Sequence, residues 1–274
     1  MANPVQISRA AAFQSLHAPG EFLSIPNAWD AASAKIFEAS GAKAIATTSC
    51  AVAWALGFAD GEKISLDALT TVVRGITRSV SIPVSVDFER GYGETPNDVA
   101  ASVTRILDVG AVGINLEDGF GPANELGVRI AVARRAALRF GVPLFINART
   151  DVVLHRTRRP EQEVDEILAR AKIYQDAGAD GLFVPGLSNP DHIEAVARGT
   201  SLPLNLFAAL PKLPPVAELR RLGVRRLTTA GRFAEVAFDA ARRACIEFLE
   251  SGTYSAFERC ELNYHVMNGF FAKP

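Results

Sequence analysis

The sequence predicts an α/β chain folded as a (β/α)8 TIM barrel, one domain over residues 1–274, with 252–274 as a C-terminal helical extension. Three observations predict it. Short apolar, β-branched runs alternate with helical stretches eight times. The joints repeat: Gly41-Ala42, Gly110-Ala111, Gly178-Ala179 and Gly223-Val224 each stop a helix and start a strand, whereas Pro83, Pro143 and Pro203 open the others. Glycine suits the left-handed helix stop, and proline suits a strand's first residue, where the ladder needs no donor. Near-continuous apolar strands joined by crossovers then indicate a parallel sheet covered by helices. An open doubly wound sheet would want a glycine-rich phosphate loop after the first strand, and Pro26-Asn27-Ala28-Trp29-Asp30 is not one.

Taken in order, residues 7–17 read as a short amphipathic helix and 22–26 as the first strand. Asn27 and Asp30 flank the start of a helix that runs to Ser40. Residues 42–48 form the second strand, 49–61 a loop and 66–79 a helix leading to the strand at Pro83. Thr95-Pro96-Asn97 opens a helix to Val109, because proline is pre-shaped for a first helical turn. The strand 112–116, a loop from Gly119, a helix to Phe140 and the strand 143–147 follow. Helices at 161–177, 191–198 and 216–222 alternate with strands at 181–184, 203–207 and 225–229. A long helix over 233–249 and a terminal segment over 254–271, with aromatics at helical spacing, complete the chain.

A chain of 274 residues is long enough for one large domain with a sizeable core. Net charge of -1 gives no electrostatic case for nucleic acid or an acidic membrane as partner. Cys50, Cys245 and Cys260 are odd in number and lack metal-type spacing, which predicts a reducing, cytoplasmic setting. Residues 1–8 are polar and lead into no signal-like apolar run, and no run approaches transmembrane length.

In such a barrel, chemistry sits at the carboxyl ends of the strands. The run Val84-Ser85-Val86-Asp87-Phe88-Glu89 ends in two acids, before a Gly91-Tyr92-Gly93 turn. Strand alternation points Asp87 and Glu89 the same way. Two buried like charges are costly without a cation or a shared proton, so a hard divalent cation is the simplest account. Capping or solvation of a strand exit is the other. The next strand ends in Glu117-Asp118, which brings a third carboxylate to the first two if the strands are neighbours. Further strand ends offer Asn27, Asp30, Thr48, Ser49, Cys50, Asn147, Arg149, Asp151, Asn205 and Thr228. Arg149 is the cation placed to grip an anionic substrate with its fork, with a structural salt bridge to a barrel acid as the alternative.

Pro26-Asn27-Ala28-Trp29-Asp30, Thr47-Thr48-Ser49, Asp60-Gly61, Asp87-x-Glu89-x-Gly91-Tyr92-Gly93, Leu116-Glu117-Asp118 and Asn147-Ala148-Arg149-Thr150-Asp151 appear in this order over residues 20–235. Together they resemble the isocitrate lyase/phosphoenolpyruvate mutase superfamily. The resemblance implies a barrel that binds a small 2-oxo acid or its enolate with Mg2+, for which Mn2+ can substitute. It implies that Asp87 ligates the metal directly and that Asp60, Glu89 and Glu117 hold it through water. It implies that Ser49, Cys50 and Ala51 offer backbone amides to the substrate, and that Arg149 grips its carboxylate. It also implies a homo-oligomer, a dimer or tetramer, in which a C-terminal helix is swapped between subunits.

Two departures shape the expected reaction. Glu89 stands where many members carry aspartate. Lyases of the superfamily carry a Lys-x-Cys-Gly-His-like loop after the third acid, whereas this chain reads Gly119-Phe120-Gly121-Pro122-Ala123-Asn124-Glu125-Leu126-Gly127. Without that cysteine, cleavage of isocitrate or 2-methylisocitrate is not expected. Ala123 replaces the mutase's loop lysine, and Asn124 remains as a polar contact for substrate. The expected reaction is therefore one needing little proton handling: Mg2+-dependent carbon–carbon cleavage of a small 2-oxo (di)carboxylic acid, of the oxaloacetate decarboxylase or hydrolase kind. For a hydrolase, Asp87, Glu89 or Tyr92 is the candidate base. Phosphorus–carbon chemistry, as in the mutase or phosphonopyruvate hydrolase, and a silent 2-oxo acid binding protein are the alternatives.

Overall fold

The computed structural model describes residues 3–154, 160–208 and 213–272. His155 and the Arg156-Thr157-Arg158-Arg159 cluster lie outside the described residues. Every strand is parallel to its neighbours, in the order β1-β9-β8-β7-β6-β5-β4-β3-β2. The strands are β1 (Leu23–Ile25), β2 (Asn27–Ala28), β3 (Ile45–Thr47), β4 (Val84–Asp87), β5 (Gly113–Glu117), β6 (Phe145–Arg149), β7 (Gly181–Phe183), β8 (Leu204–Phe207) and β9 (Val224–Thr228). Only Pro26 separates β1 from β2, and proline has no N–H to give a ladder. The predicted first strand is therefore bent there: its first half pairs with β9 and its second half with β3. The nine segments act as the eight predicted staves, and the bent one joins the two ends of the sheet.

Helices α2 (Ala31–Ala39), α4 (Leu66–Ser79), α5 (Pro96–Asp108), α6 (Ala123–Phe140), α7 (Pro160–Asp176), α8 (Pro190–Gly199) and α9 (Val216–Arg221) lie in the crossovers. Their starts are encoded locally. Asp30 and Thr95 build capping boxes with Ser33 and Asp98, and Ser65 and Asn189 accept from first-turn amides. The predicted loop at 49–61 instead begins as a short helix, α3 (Ser49–Ala55), with three alanines that favour a helical turn.

Helix α1 (Pro4–Ser15) closes the amino end of the barrel. Its Phe13 is fully buried, with its ring centroid 5.4 Å from that of Phe145. Gly113 makes room for it, since a Cβ there would stand 2.8 Å from Phe13 Cε1. His17 is buried beside them and donates from Nδ1 to the Phe13 carbonyl at 2.8 Å. Burial, reinforced by the charge of Arg226, pushes its pKa down to about 3, so it stays neutral.

After the barrel, the expected single helix breaks into α10 (Arg232–Ile246) and a π-helical turn over Glu247–Ser251, followed by α11 (Ser255–Glu258) and α12 (Tyr264–Phe271). Ala234 is the only buried residue of α10, and α12 has none. Among the described residues, no helix is long and apolar enough to cross a membrane.

Asp118, next to a site candidate in sequence, is a structural bolt. Its buried carboxylate accepts from Arg170 Nη1 and Tyr174 Oη, both at 2.8 Å, and from the amides of Phe120 and Asp151. It joins the ends of β5 and β6 to α7. Removing one member of a buried ion pair strands the other, at a cost of about 3–5 kcal/mol. Asp118→Ala should therefore lower Tm by roughly 10 °C, read by calorimetry, while Asp176→Ala, in an exposed ion pair with Lys172, leaves it within about 2 °C.

Candidate active site

Strand register assembles the site. Asp87 of β4 lies level with Asn115 of β5, which lies level with Asn147 of β6. One step on, Glu117 lies opposite Arg149, and a backbone bond of 2.9 Å from Glu117 N to Glu89 O ties the two acidic strand ends together. Of these, Asp87, Asn115 and Arg149 line a cavity of about 190 Å3 at the carboxyl ends of the strands, below the size of most drug-sized ligand pockets and suited to a small acid; Glu117 stands behind Arg149, outside the lining. Its polar lining is Asn27, Thr48, Ser49, Cys50, Asp60, Asp87, Asn115, Arg149 and Thr228, and Leu154, Phe183, Pro185, Phe207 and Ala230 form an apolar wall. A larger groove of about 570 Å3 lies on the outer wall of the barrel, against α2, β1 and Phe233.

The predicted residues divide. Asp60, Asp87, Arg149, Ser49 and Cys50 all line the cavity. Ala51 is buried behind Ser49 and Cys50. Asn205 is fully buried and pairs in register with Arg226, two residues before Thr228; it lies beneath the cavity. Asn124 is a correction: it is exposed in the first turn of α6, outside the cavity lining, because the short 119–122 loop starts the helix at once. Glu89 is another. The strand ends at Asp87, and Glu89 takes a left-handed φ of 47°, so strand alternation no longer aims it. Its carboxylate accepts from Tyr92 Oη at 2.5 Å and from the Glu62 amide at 2.6 Å. Tyr92 is not placed to be a base. Its hydroxyl donates to Glu89, and burial with the surrounding carboxylates pushes its pKa far above the usual phenol range.

Asn115, Phe183, Phe207 and Leu154 were not among the predicted site residues. Period-two alternation from Glu117 back to Asn115 was the available signal for the first. The apolar three carry no sequence signal that separates a cavity wall from a core.

The electrostatics are crowded. Arg149 bonds Glu117 through Nη1 at 2.8 Å and Asp151 through Nε at 2.7 Å, and sits 5.8 Å from the centre of the Phe183 ring. Arg149 is salt-bridged, as the structural reading has it, and it also lines the cavity. Burial raises Glu117 to about 8; Arg149 pulls it back, and Asp87, Asp151 and Glu89 push it further up. Burial likewise raises Glu89 to about 7, with Asp87 and Asp60 adding repulsion. Asp87 accepts from the Ser49 amide at Oδ2, 3.0 Å away, whereas its buried Oδ1 has no partner. The Ser49 amide is thus committed to Asp87, and burial raises the Cys50 thiol, leaving it protonated.

Excess buried negative charge and an orphaned carboxylate oxygen fit a cation at Asp87. Among the described residues, no three acid, histidine or cysteine side chains converge closely enough to clamp an ion directly. That donor set suits Mg2+, which keeps several waters and takes few protein ligands: Asp87 would hold it directly, with Asp60 and Glu117 reaching its waters.

Comparison with known proteins places the chain in a family. A candidate phosphonomutase from Burkholderia cenocepacia J2315 shares 42% identity, with a TM-score of 0.83 over 86% of this chain and 98% of that one. The oxaloacetate decarboxylase of Pseudomonas entomophila is 32% identical over 78% of this chain and 75% of its own length. A phosphonopyruvate hydrolase in complex with oxalate and Mg2+ is 21% identical, with a TM-score of 0.84 over 96% of this chain and 94% of that one, a likeness of fold. The phosphoenolpyruvate phosphomutase family model matches residues 13–249, and the chain belongs to that family, within the isocitrate lyase/phosphoenolpyruvate mutase superfamily.

Proposed function

We propose that this protein is a Mg2+-dependent carbon–carbon lyase acting on a small 2-oxo (di)carboxylic acid, with oxaloacetate decarboxylation as the model reaction. The observation that carries this reading is the partnerless buried Oδ1 of Asp87 in a small cavity that Arg149 also lines. The relatives named above differ in described activity, one a decarboxylase and one a candidate phosphonomutase. Likeness to an oxalate and Mg2+ complex supports both the ion and the kind of ligand. Free cysteines fit a reducing cytoplasm.

When bound, Mg2+ supplies Lewis acidity toward the C1 carboxylate and C2 carbonyl oxygens of the substrate. Arg149 receives the carboxylate, in part exchange for its bonds to Glu117 and Asp151. The apolar wall of Phe183, Phe207 and Leu154 keeps bulk water from the scissile bond. As the C3–C4 bond breaks, its electron pair moves toward the C2 oxygen, CO2 leaves and C3 later takes a proton from water. No side chain needs to donate that proton during cleavage. This agrees with a 119–122 loop that carries no cysteine, lysine or histidine.

A phosphorus–carbon reaction is favoured by the mutase-like relative and disfavoured by Ala123 and the exposed Asn124. Purified protein should release pyruvate from oxaloacetate with Mg2+ or Mn2+ and stop on chelation. No turnover across a panel of 2-oxo acids overturns the proposal. Phosphonopyruvate turnover in phosphorus NMR would move the reading to phosphorus–carbon cleavage, and tight oxalate binding without any product to a silent binding protein. Asp87→Asn should lower kcat by about 10²–10³-fold. Arg149→Lys should raise KM by about 10–100-fold, since it loses the two-pronged grip.

The exposed Val236, Phe248, Leu249, Phe257 and Tyr264 of the C-terminal region, together with the apolar outer groove beside Phe233, support a homo-oligomer that exchanges these helices. Light scattering should give a dimer or tetramer, and a chain cut after Ser251 should dissociate. A monomeric full-length protein sinks this part alone.

A further inference from the structure

The loop over residues 57–65 connects α3 to α4 and carries Asp60 into the cavity. Among the described residues, the hydrogen bonds joining residues 59–64 to the rest of the chain all run through Glu62, and Ile64 adds one buried side chain. Glu62 N donates to Glu89 Oε1 at 2.6 Å. In return, Glu62 Oε1 accepts from the amides of Arg90, at 2.9 Å, and Tyr92, at 3.2 Å. Tyr92 closes the circuit by donating to the other Glu89 oxygen, and Ser102 Oγ anchors the Tyr92 carbonyl at 2.8 Å.

The backbone is bent to make this possible. Glu62, Glu89 and Tyr92 are all non-glycine residues with positive φ, at 53°, 47° and 49°. Such conformations are unfavourable and persist where surrounding contacts over-determine them. Three of them in one exchange of hydrogen bonds, beside a candidate ion site, are hard to explain as ordinary loop closure. Glu62 itself is exposed, so nothing in the core requires it.

We propose that Glu62 is a positioning residue: with Glu89 it forms a reciprocal clasp that locks the Asp60 loop to the end of β4 and so sets Asp60 against the cation site at Asp87. The clasp gives Glu89 its work, since both of its oxygens are engaged there. The proposal rests on the Mg2+ reading only where it concerns the ion; the clasp is a property of the protein alone.

Glu62→Gln keeps a carbonyl oxygen for the two amides, whereas Glu62→Ala removes it. Lys63, exposed at the centre of the loop, reports opening through trypsin cleavage. In the full-length protein without added metal, cleavage after Lys63 should be about tenfold faster in Glu62→Ala and near wild type in Glu62→Gln. By calorimetry with Mg2+ alone, Glu62→Ala should bind about 10–100-fold more weakly, as when an outer partner of a metal ligand is lost, with the amide variant restoring most of the affinity. Unchanged cleavage at Lys63 in Glu62→Ala overturns the clasp. Faster cleavage with unchanged Mg2+ affinity overturns the positioning role. Mg2+ binding by none of the three proteins, with the Lys63 difference intact, overturns the ion reading and leaves the clasp standing.

Discussion

Too many carboxylates share too little positive charge at the carboxyl end of this barrel. Asp60, Asp87, Glu89, Glu117 and Asp151 act on one another there, and Arg149 is the cation among them. Buried acids must be paired, protonated or bound to a cation. The local bonds satisfy some of them. Asp151 and Glu117 pair with Arg149, Glu89 is satisfied by a phenol and an amide, and Asp87 keeps one bare oxygen. What remains after the local bonds are drawn is one unpartnered, buried oxygen of Asp87.

Neighbouring acids in the sequence have opposite fates for the same reason. Glu117 and Asp118 are consecutive, so their side chains leave β5 in opposite directions. Glu117 turns toward Arg149, which lines the cavity, and Asp118 turns toward Arg170 and Tyr174 in the helical layer. One is available to chemistry and the other holds β5, β6 and α7 in register. The same division separates Arg149, held at the cavity by Asp151, from Arg170, which never reaches it.

The barrel was legible because its code is local: glycine stops, proline starts and apolar runs of strand length. Asp87 and Arg149 were legible because a strand's last residue must face somewhere, and in a barrel the carboxyl end is the cavity. The alternation that aims Glu89 with Asp87 stops with the strand at Asp87, and a positive φ at a glutamate leaves no mark in a sequence. The bend at Pro26 was visible as a residue but not as a closure, since the closing partners, β9 and β3, lie far away along the chain. Phe183 and Phe207 look like core residues from sequence, and only the cavity distinguishes them.

Charge is also stacked along the barrel axis. Arg226 is 1% exposed, and its three guanidinium nitrogens have no hydrogen-bond partner. It stands two residues before Thr228 on β9, hence on the same face and one layer below the cavity. Burial lowers its pKa to about 9, which still leaves it charged at neutral pH, and the charge of Asp87 opposes that shift. Beneath, the Phe13 ring faces the guanidinium at 5.7 Å, an aromatic face that partly replaces water. A neutral residue there would spare the desolvation of a cation but would leave Asp87 facing only acids, an amide and Arg149's outward fork. The buried arginine therefore offsets, from below, part of the repulsion that Asp87 meets from its acidic neighbours.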